Sequence, residues 1–403
     1  MKKDVLLIAN YWHFFFEKKS SRYRTMADTL VKHGFDVEII TSSFRHQTKS
    51  QRNLEQIRAM EFPYKVTMLR EPSYRENISL KRIWSHHVFS GQVVRYLKQR
   101  KRPDVIVVSV PSLAVGSAVT KFAQKRNIPV VVDIQDLWPE AFKMAIDIPV
   151  VSDILFAPMM LQANRIYARA DKVMAVSETY MERGLSCNRK DPEGLAVYIG
   201  TDAALVKESV EGKVIRKPRE EFWIGYAGAL GHSYDIRLIM DALEILREKG
   251  ICNIVLKIMG EGALMTDFQA YARKKSVQCE FLGFMEYGDM MRLLMECDVA
   301  VNPIVGKSVS SVINKVSDYA MAGVPVINTQ NSPEYRSLIE EYHCGINCEN
   351  GDPQSVANAV MTLYGNEPLK EQMRNNSLRL AKEKFDRAST YQSIAALLDN
   401  MEH

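Results

Sequence analysis

The stretch INKVSDYAMAGVPVI, residues 313–327, decides how this sequence folds. It opens on the polar residues Asn314, Lys315 and Asp318, runs through the small residues Ala320, Ala322 and Gly323, and turns apolar around Pro325. A glycine just past a helical run, with proline two residues on, is a helix stop. The spacing therefore predicts a helix over about 312–322 that leads into a strand. Just upstream, DVAVNPI (298–304) reads as a strand and VGKSVSSV (305–312) as a loop. A helix that begins at the carboxyl end of a strand leaves backbone N–H groups unpaired and aims its dipole at an anion. Ser308, Ser310 and Ser311 add hydroxyl donors there. Lys315 in the first turn suits a diphosphate, and Asp318, one turn on along the same face, suits two vicinal hydroxyls of a ribose. The rival reading is an ordinary packing helix with a surface Lys315–Asp318 pair worth a few tenths of a kcal/mol, about the value of any exposed ion pair.

Outward from this stretch, β-branched runs alternate with amphipathic ones. DVLLIAN (4–10), DVEIITS (36–42), DVIVVSV (104–110) and PVVVDI (129–134) are strands, separated by helix-like stretches such as 20–33 and 112–126. The pattern restarts at EFWIGYAGAL (221–230) and continues through NIVLKIMG, QCEFLGF, DVAVNPI, VPVINT and CGINCE. Such alternation predicts α/β architecture: two doubly wound, parallel-sheet domains facing each other across a cleft. The polar, poorly periodic segment at about 199–219 is the expected joint. This gives an amino-terminal domain over 1–200 and a second over 201–385, with a helix at about 386–403 expected to pack back on the first. Nothing after residue 351 reads as a strand.

The 403 residues are 46% hydrophobic and 25% charged, an ordinary globular balance. No apolar run is long enough to span a bilayer, and the amino-terminal stretch has no cleavage site, so the expectation is a cytoplasmic chain. Six cysteines without a CxxC pair point away from disulfides and structural zinc. The net charge of +5 is uneven: residues 1–200 carry 31 Lys+Arg against 20 Asp+Glu, and residues 201–403 carry 22 against 28. Much of the excess lies before residue 103, where Ile83, Trp84, Val88, Val93, Val94 and Leu97 alternate with cations. A basic amphipathic helix with a tryptophan suits an anionic membrane surface and equally suits a solvated face of a basic protein.

INKVSDYAMAGVPVI also resembles the signature of retaining glycosyltransferases of family 4, an acidic residue followed by small residues and Gly-x-Pro-Val. DIQDLWPEAF (133–142) resembles a stretch of the branch that builds bacterial surface polysaccharides. ADKVMAVSETYMERG (170–184), VYIGTD (197–202), IGYAGALG (224–231), KIMGEGALMTDFQAYA (257–272) and CEFLGFMEYGDMMRLLMECDVAVNPI (279–304) are similar to further family segments in the same order. The resemblance covers nearly the whole chain. It implies the GT-B fold, two Rossmann-like domains, the first holding the acceptor and the second the nucleotide sugar.

Carried over residue by residue, the second acidic residue of the family's pair, which binds the ribose, falls on Asp318, and the first, which meets the donor sugar, falls on Ser310. The cations that usually follow the first strand of the nucleotide domain fall on Ala229 and Tyr234, neither charged, so Lys315, helped by Arg237, is the local replacement. Gly228, Gly260, Gly262 and Gly283 fall where the family's backbone approaches the nucleotide, and Leu282, Gly283 and Phe284 where it meets the base. Ser311 and Asn314 complete the donor set. In the first domain the usual glycine-rich loop is NYWHFFFEKKSSRYR, without a glycine. His13 and the aromatic residues Trp12, Phe14, Phe15 and Phe16 are candidates for an apolar lip, with core packing expected for some of the four, and Ser20, Ser21 and Arg22 open the next helix, where an anion would fit. Asp133, Asp136 and Glu140 are carboxylates at a strand end. The resemblance makes the donor phosphate the base, so Asp136 is expected to orient the acceptor, with helix capping as its rival role.

The resemblance thus implies transfer of a hexose or N-acetylated aminosugar from a nucleotide diphosphate sugar, uridine being the family's commonest base, to a lipid-linked acceptor in capsule, exopolysaccharide or O-antigen assembly. It implies no cofactor, no metal and no nucleic acid, a peripheral position on the inner face of the cell membrane, and other assembly proteins as partners. Two rivals stay open: a nucleotide-sugar 2-epimerase, and a non-catalytic partner of an active transferase, for which Ser310 and the missing cations would be the marks.

Overall fold

The computed structural model of the chain describes residues 2–17, 21–77, 79–145, 149–191, 193–306 and 312–401. It divides into two compact units, one comprising residues 1–198 and 390–403, the other residues 199–389.

The first unit is built on seven parallel strands, β1 (Asp4–Ile8), β2 (Asp36–Ser42), β3 (Lys65–Leu69), β4 (Val105–Val110), β5 (Val130–Ile134), β6 (Lys172–Ala175) and β7 (Leu195–Ala196), in the order β3-β2-β1-β4-β5-β6-β7. Val, Ile and Leu fill the central strands because both sheet faces are covered by helices. Val5, Leu7, Ile39, Val105, Val107 and Val131 form one face of the core, against Met26 and Leu30 of the helix Arg22–Lys32. Ile394, Ala395 and Leu398 of the helix Gln392–Asp399 pack into this same core.

The second unit carries six parallel strands, β8 (Phe222–Ala227), β9 (Ile254–Met259), β10 (Cys279–Gly283), β11 (Val299–Asn302), β12 (Val326–Asn328) and β13 (Gly345–Asn347), in the order β10-β9-β8-β11-β12-β13. Both sheets reverse their strand order next to their first strand, at β1/β4 and at β8/β11. In an open α/β sheet, ligands bind outside the carboxyl ends of the strands at this point, because the flanking helices leave in opposite directions and open a crevice. The segment after residue 199 is less irregular than its composition suggests. Asp202 accepts from the backbone N–H groups of Ala204 and Leu205 and starts the helix Ala203–Val210.

At the carboxyl end of β5 the structure corrects one sequence expectation. Arg22 opens its helix as expected, but its side chain is turned to a carboxylate inside the unit, and Ser20 lies outside the described residues. The Arg22 guanidinium is buried and holds the fully buried Asp133 through two contacts, Nε to Oδ2 at 3.2 Å and Nη2 to Oδ1 at 3.1 Å. Tyr23 and Gln135 donate to the same carboxylate, and Arg22 also donates to the Val197 carbonyl at 2.7 Å. Asp133 is thereby a structural anchor with its lone pairs spent. Removing one member of a buried pair leaves an uncompensated charge. Asp133→Ala should cost about 3–5 kcal/mol in a urea melt of the chain, and Asp133→Asn, which keeps the shape and, with its oxygen in the Oδ2 place, the bonds from Arg22 Nε, Tyr23 and Gln135, should cost less.

Candidate functional site

In the second unit the switch point is closed by backbone contact. The loops after β8 and β11 are tied by Asp235 N–H to the Pro303 carbonyl at 2.9 Å and Val305 N–H to Ser233 at 3.1 Å. Gly228 follows β8 and Gly260 follows β9. The Gly228 N–H donates to Met259 at 2.9 Å and the Gly260 N–H to the carbonyl of Gly283, the last residue of β10, at 2.8 Å. A Cβ on Gly260 would stand 1.9 Å from the Gly228 oxygen, and one on Gly262 would stand 2.2 Å from the Leu230 oxygen. Only glycine lets these backbones meet.

Into this floor reaches Lys315. It lies on the helix Asn314–Met321, whose N-cap residue Ile313 has no side-chain group to cap it. The loop before it falls outside the described residues, and with it Ser308, Ser310 and Ser311. Tyr319 seats the helix, its hydroxyl accepting from Ala227 N–H at 3.0 Å and donating to the Val301 carbonyl at 3.2 Å. The helix ends at Gly323, φ 65°, as the sequence indicates.

The Lys315 amine sits 2.8 Å from where a Gly228 Cβ would be, 3.7 Å from the Tyr234 ring centre and 4.2 Å from that of Tyr226. It is shut off from solvent and has no hydrogen-bond partner among the described residues. Burial lowers its pKa from the ordinary lysine value to about 7. Ring faces attract a cation, yet they replace only part of its hydration. Tyr226 in turn donates to the Ala229 carbonyl at 2.7 Å. Of the two positions where the resemblance expects cations, then, Tyr234 supplies a ring beneath the amine of Lys315, and Ala229 anchors the companion ring.

Asp318 is engaged as well. Its Oδ1 accepts from the Thr201 hydroxyl at 2.9 Å and from the Tyr287 hydroxyl at 2.9 Å. Asn314 is exposed, with its carbonyl taking the Ser317 hydroxyl at 2.6 Å. Arg237 lies elsewhere, exposed on the helix Ile236–Glu248 with its guanidinium 5.3 Å from the Tyr271 ring, so the structure does not bring it to Lys315. Phe284 is 75% exposed beside the strand end, and its N–H donates to Glu261 at 3.2 Å, so it is no part of the core. Tyr226, Thr201 and Tyr287 are not marked as site residues by the sequence, and Tyr234 is marked only as an uncharged residue at a cation position. Their one sequence signal is an aromatic or hydroxyl residue close to each strand or segment end.

In the first unit the aromatic run divides: Trp12 and Phe14 are fully buried, Phe15 and Phe16 exposed. His13, between them, is half-buried. Asp136 accepts from the Trp138 indole N–H at 3.1 Å, and burial raises its pKa. Glu140 pairs with Arg183 at 2.6 Å. The three carboxylates of DIQDLWPE are thus divided among three separate sets of partners. Trp138 carries the Arg82 guanidinium 4.6 Å over its ring, and Arg82 donates to the Tyr11 hydroxyl at 2.9 Å. His46, Tyr74 and His86 complete this aromatic and basic cluster. Burial, then the charges of Lys49 and Arg82, lowers the His46 pKa to about 4, and burial lowers that of His86 to about 3, so both rings are neutral. Among the described residues no group of three His, Cys, Asp or Glu could hold a metal ion.

Because Lys315 is neutral above about pH 7 in the folded chain and charged up to about 10.5 when unfolded, the unfolded state binds more protons in that window. Stability of the ligand-free protein should therefore rise from pH 7 toward pH 10, and less so in Lys315→Met. NMR of lysine-labelled protein should show one amine titrating near pH 7 that the variant lacks.

Two family models match the chain, "Glycosyl transferases group 1" over residues 209–379 and "Glycosyl transferase 4-like domain" over residues 20–186. No curated protein matches it in sequence. Among solved structures it is similar to HepE (Alr3699) of Anabaena in complex with UDP, with 14% identity over all of both chains and a TM-score of 0.66. Sucrose-phosphate synthase from Thermosynechococcus elongatus superposes with 14% identity over 99% of this chain and 98% of that one, TM-score 0.68. WaaG, a glycosyltransferase involved in lipopolysaccharide biosynthesis, superposes with 15% identity over 98% and 100%, TM-score 0.62. The two matched models, one in each parallel-sheet unit, and the fold shared with these structures identify the chain as a GT-B glycosyltransferase of the family-4 kind.

Proposed function

We propose that this glycosyltransferase is a retaining enzyme that takes a hexose or N-acetylated aminosugar from a nucleotide diphosphate sugar and places it on a lipid-linked glycan, in the surface-polysaccharide branch of its family. The observation that carries the donor half is the Lys315 amine, buried over the Gly228–Gly260–Gly283 floor and without a hydrogen-bond partner among the described residues. A buried amine without an acceptor is costly, and a diphosphate meeting it restores the charge and supplies the bond. Structures of HepE hold UDP and UDP-glucose, which supports a uridine donor. In this reading Lys315 and the amino terminus of its helix take up the charge that grows on the departing diphosphate, and Asp318 binds the ribose. Ser310 and Ser311 belong beside the sugar and phosphates, with Phe284 beside the base. His13 and Asp136, at carboxyl ends of strands in the first unit, belong to the acceptor. No metal or cofactor enters this scheme.

Calorimetry with nucleoside diphosphates tests the donor half and separates it from a non-catalytic partner, which should bind none. Lys315→Ala should weaken a nucleoside diphosphate more than the nucleoside, and Asp318→Ala should weaken both, each by about 1–3 kcal/mol. Equal, unaltered affinities in both variants would remove the nucleotide from this helix.

The acceptor half rests on surface chemistry. No helix of the described residues is long and apolar enough to cross a membrane. On the helix Leu80–Gln99, Leu80, Ile83 and Trp84 are exposed, with Lys81, Arg95 and Lys98 exposed on the same element and Lys101 and Arg102 just beyond. Ile154, Leu155 and Leu161 are exposed on the helix Pro149–Arg169. Arg82 and Arg100, in the same basic stretch, are not available: Arg82 is buried against Tyr11 and Trp138, and Arg100 is paired with Asp4 and Glu38. Each remaining cation near an anionic surface contributes about 1 kcal/mol, screened by salt. Binding to phosphatidylglycerol-containing vesicles should rise with their anionic content and fall with added salt. Lys81→Glu, Lys98→Glu and Lys101→Glu together should release the folded protein, and indifference of the unaltered chain to such vesicles at low salt would end the membrane reading.

A further inference from the structure

The two hydroxyls on Asp318 come from different elements and meet at one carboxylate oxygen. Thr201 is nearly buried, and its backbone is clamped: its N–H donates to Phe385 at 2.8 Å and its carbonyl accepts from Arg387 N–H at 3.1 Å. Gly200, just before it, has φ 63°, and the Phe385 oxygen lies 2.2 Å from where its Cβ would be. The Thr201 hydroxyl is thus aimed by the main chain and rests 3.0 Å from Ser317 as well. Tyr287 opens the helix Tyr287–Glu296, and burial, then the Asp318 charge, raises its pKa, so the phenol stays a donor. Two hydroxyls converging on a carboxylate is what the vicinal diol of a ribose would also present.

We propose that Thr201 and Tyr287 are internal stand-ins for the ribose, holding Asp318 in the unliganded protein and giving way to the 2′- and 3′-hydroxyls of a nucleoside diphosphate. This rests on the reading that Asp318 faces the ribose. A partly buried carboxylate without donors is unfavourable. The stand-ins remove that cost from the free protein, so an incoming ribose exchanges hydrogen bonds instead of adding them. Deleting a stand-in raises the free energy of the free state alone and tightens binding. If the two hydroxyls only braced Asp318 in its working position, deleting one would weaken binding, so the sign of the change decides.

The test is calorimetric titration of UDP, GDP and ADP into the full chain, Thr201→Val and Tyr287→Phe, followed by the 2′,3′-dideoxy form of whichever nucleotide the unaltered chain binds. Each variant should bind the ribonucleotide on the order of three- to tenfold tighter, with no change for the dideoxy form. Weaker or unchanged ribonucleotide binding in both variants overturns the exchange, and so does equal tightening for the dideoxy form. If the unaltered chain binds none of the three, the nucleotide reading falls and takes this one with it. Unaltered binding with no tightening in the variants sinks the exchange alone. Thermal melts establish that each variant is folded, and should Thr201→Val fail there, Tyr287→Phe carries the same test.

Discussion

An amine held away from water over two aromatic rings, with no acceptor among the described residues, marks the switch point of the second unit. Lys315 reaches its place only because Gly228 has no side chain, and Gly228 sits where it does because Gly260 and Gly283 let three strand ends close on one another. A methyl group on Gly260 would lie 1.9 Å from the Gly228 oxygen, far inside van der Waals contact, so the floor would have to open. The rings of Tyr226 and Tyr234 replace part of the lost hydration of the amine, and the pKa near 7 measures what they leave unreplaced. An anion is the natural completion of such a site, since it would return both the proton and the hydrogen bond.

Asp318, one turn along the same helix, shows the opposite strategy. Its carboxylate is supplied with donors from within the protein, Thr201 and Tyr287, so it rests in a satisfied state. One helix therefore presents an amine that lacks a hydrogen-bond partner among the described residues and a carboxylate that has its partners already. The first unit divides its carboxylates in a comparable way. Asp133 is held by Arg22, Glu140 by Arg183, and Asp136 by an indole N–H, with its pKa raised by burial.

What could be read from the chain, and what could not, follows the range of the forces involved. The two parallel sheets were legible because continuous Val and Ile runs have one use in a protein of this size, a strand covered on both faces. β3 was not, because KVTML is only partly buried at the sheet's edge and lacks that pattern. The end of the helix Asn314–Met321 was legible because Gly323 and Pro325 act on the backbone within a turn.

The sequence by itself determined the elements, their alternation, the helix with Lys315 and Asp318 three residues apart, and a resemblance strong enough to place the chain in its family. Tertiary structure alone decided what those side chains face. Lys315 lies on rings 81 and 89 positions earlier in the chain, Asp318 on a hydroxyl 117 positions earlier, and Arg22 on a carboxylate 111 positions later. Periodicity and capping report on neighbours within about four residues. Which distant loops share a switch point is set by strand order, and no local preference encodes that order.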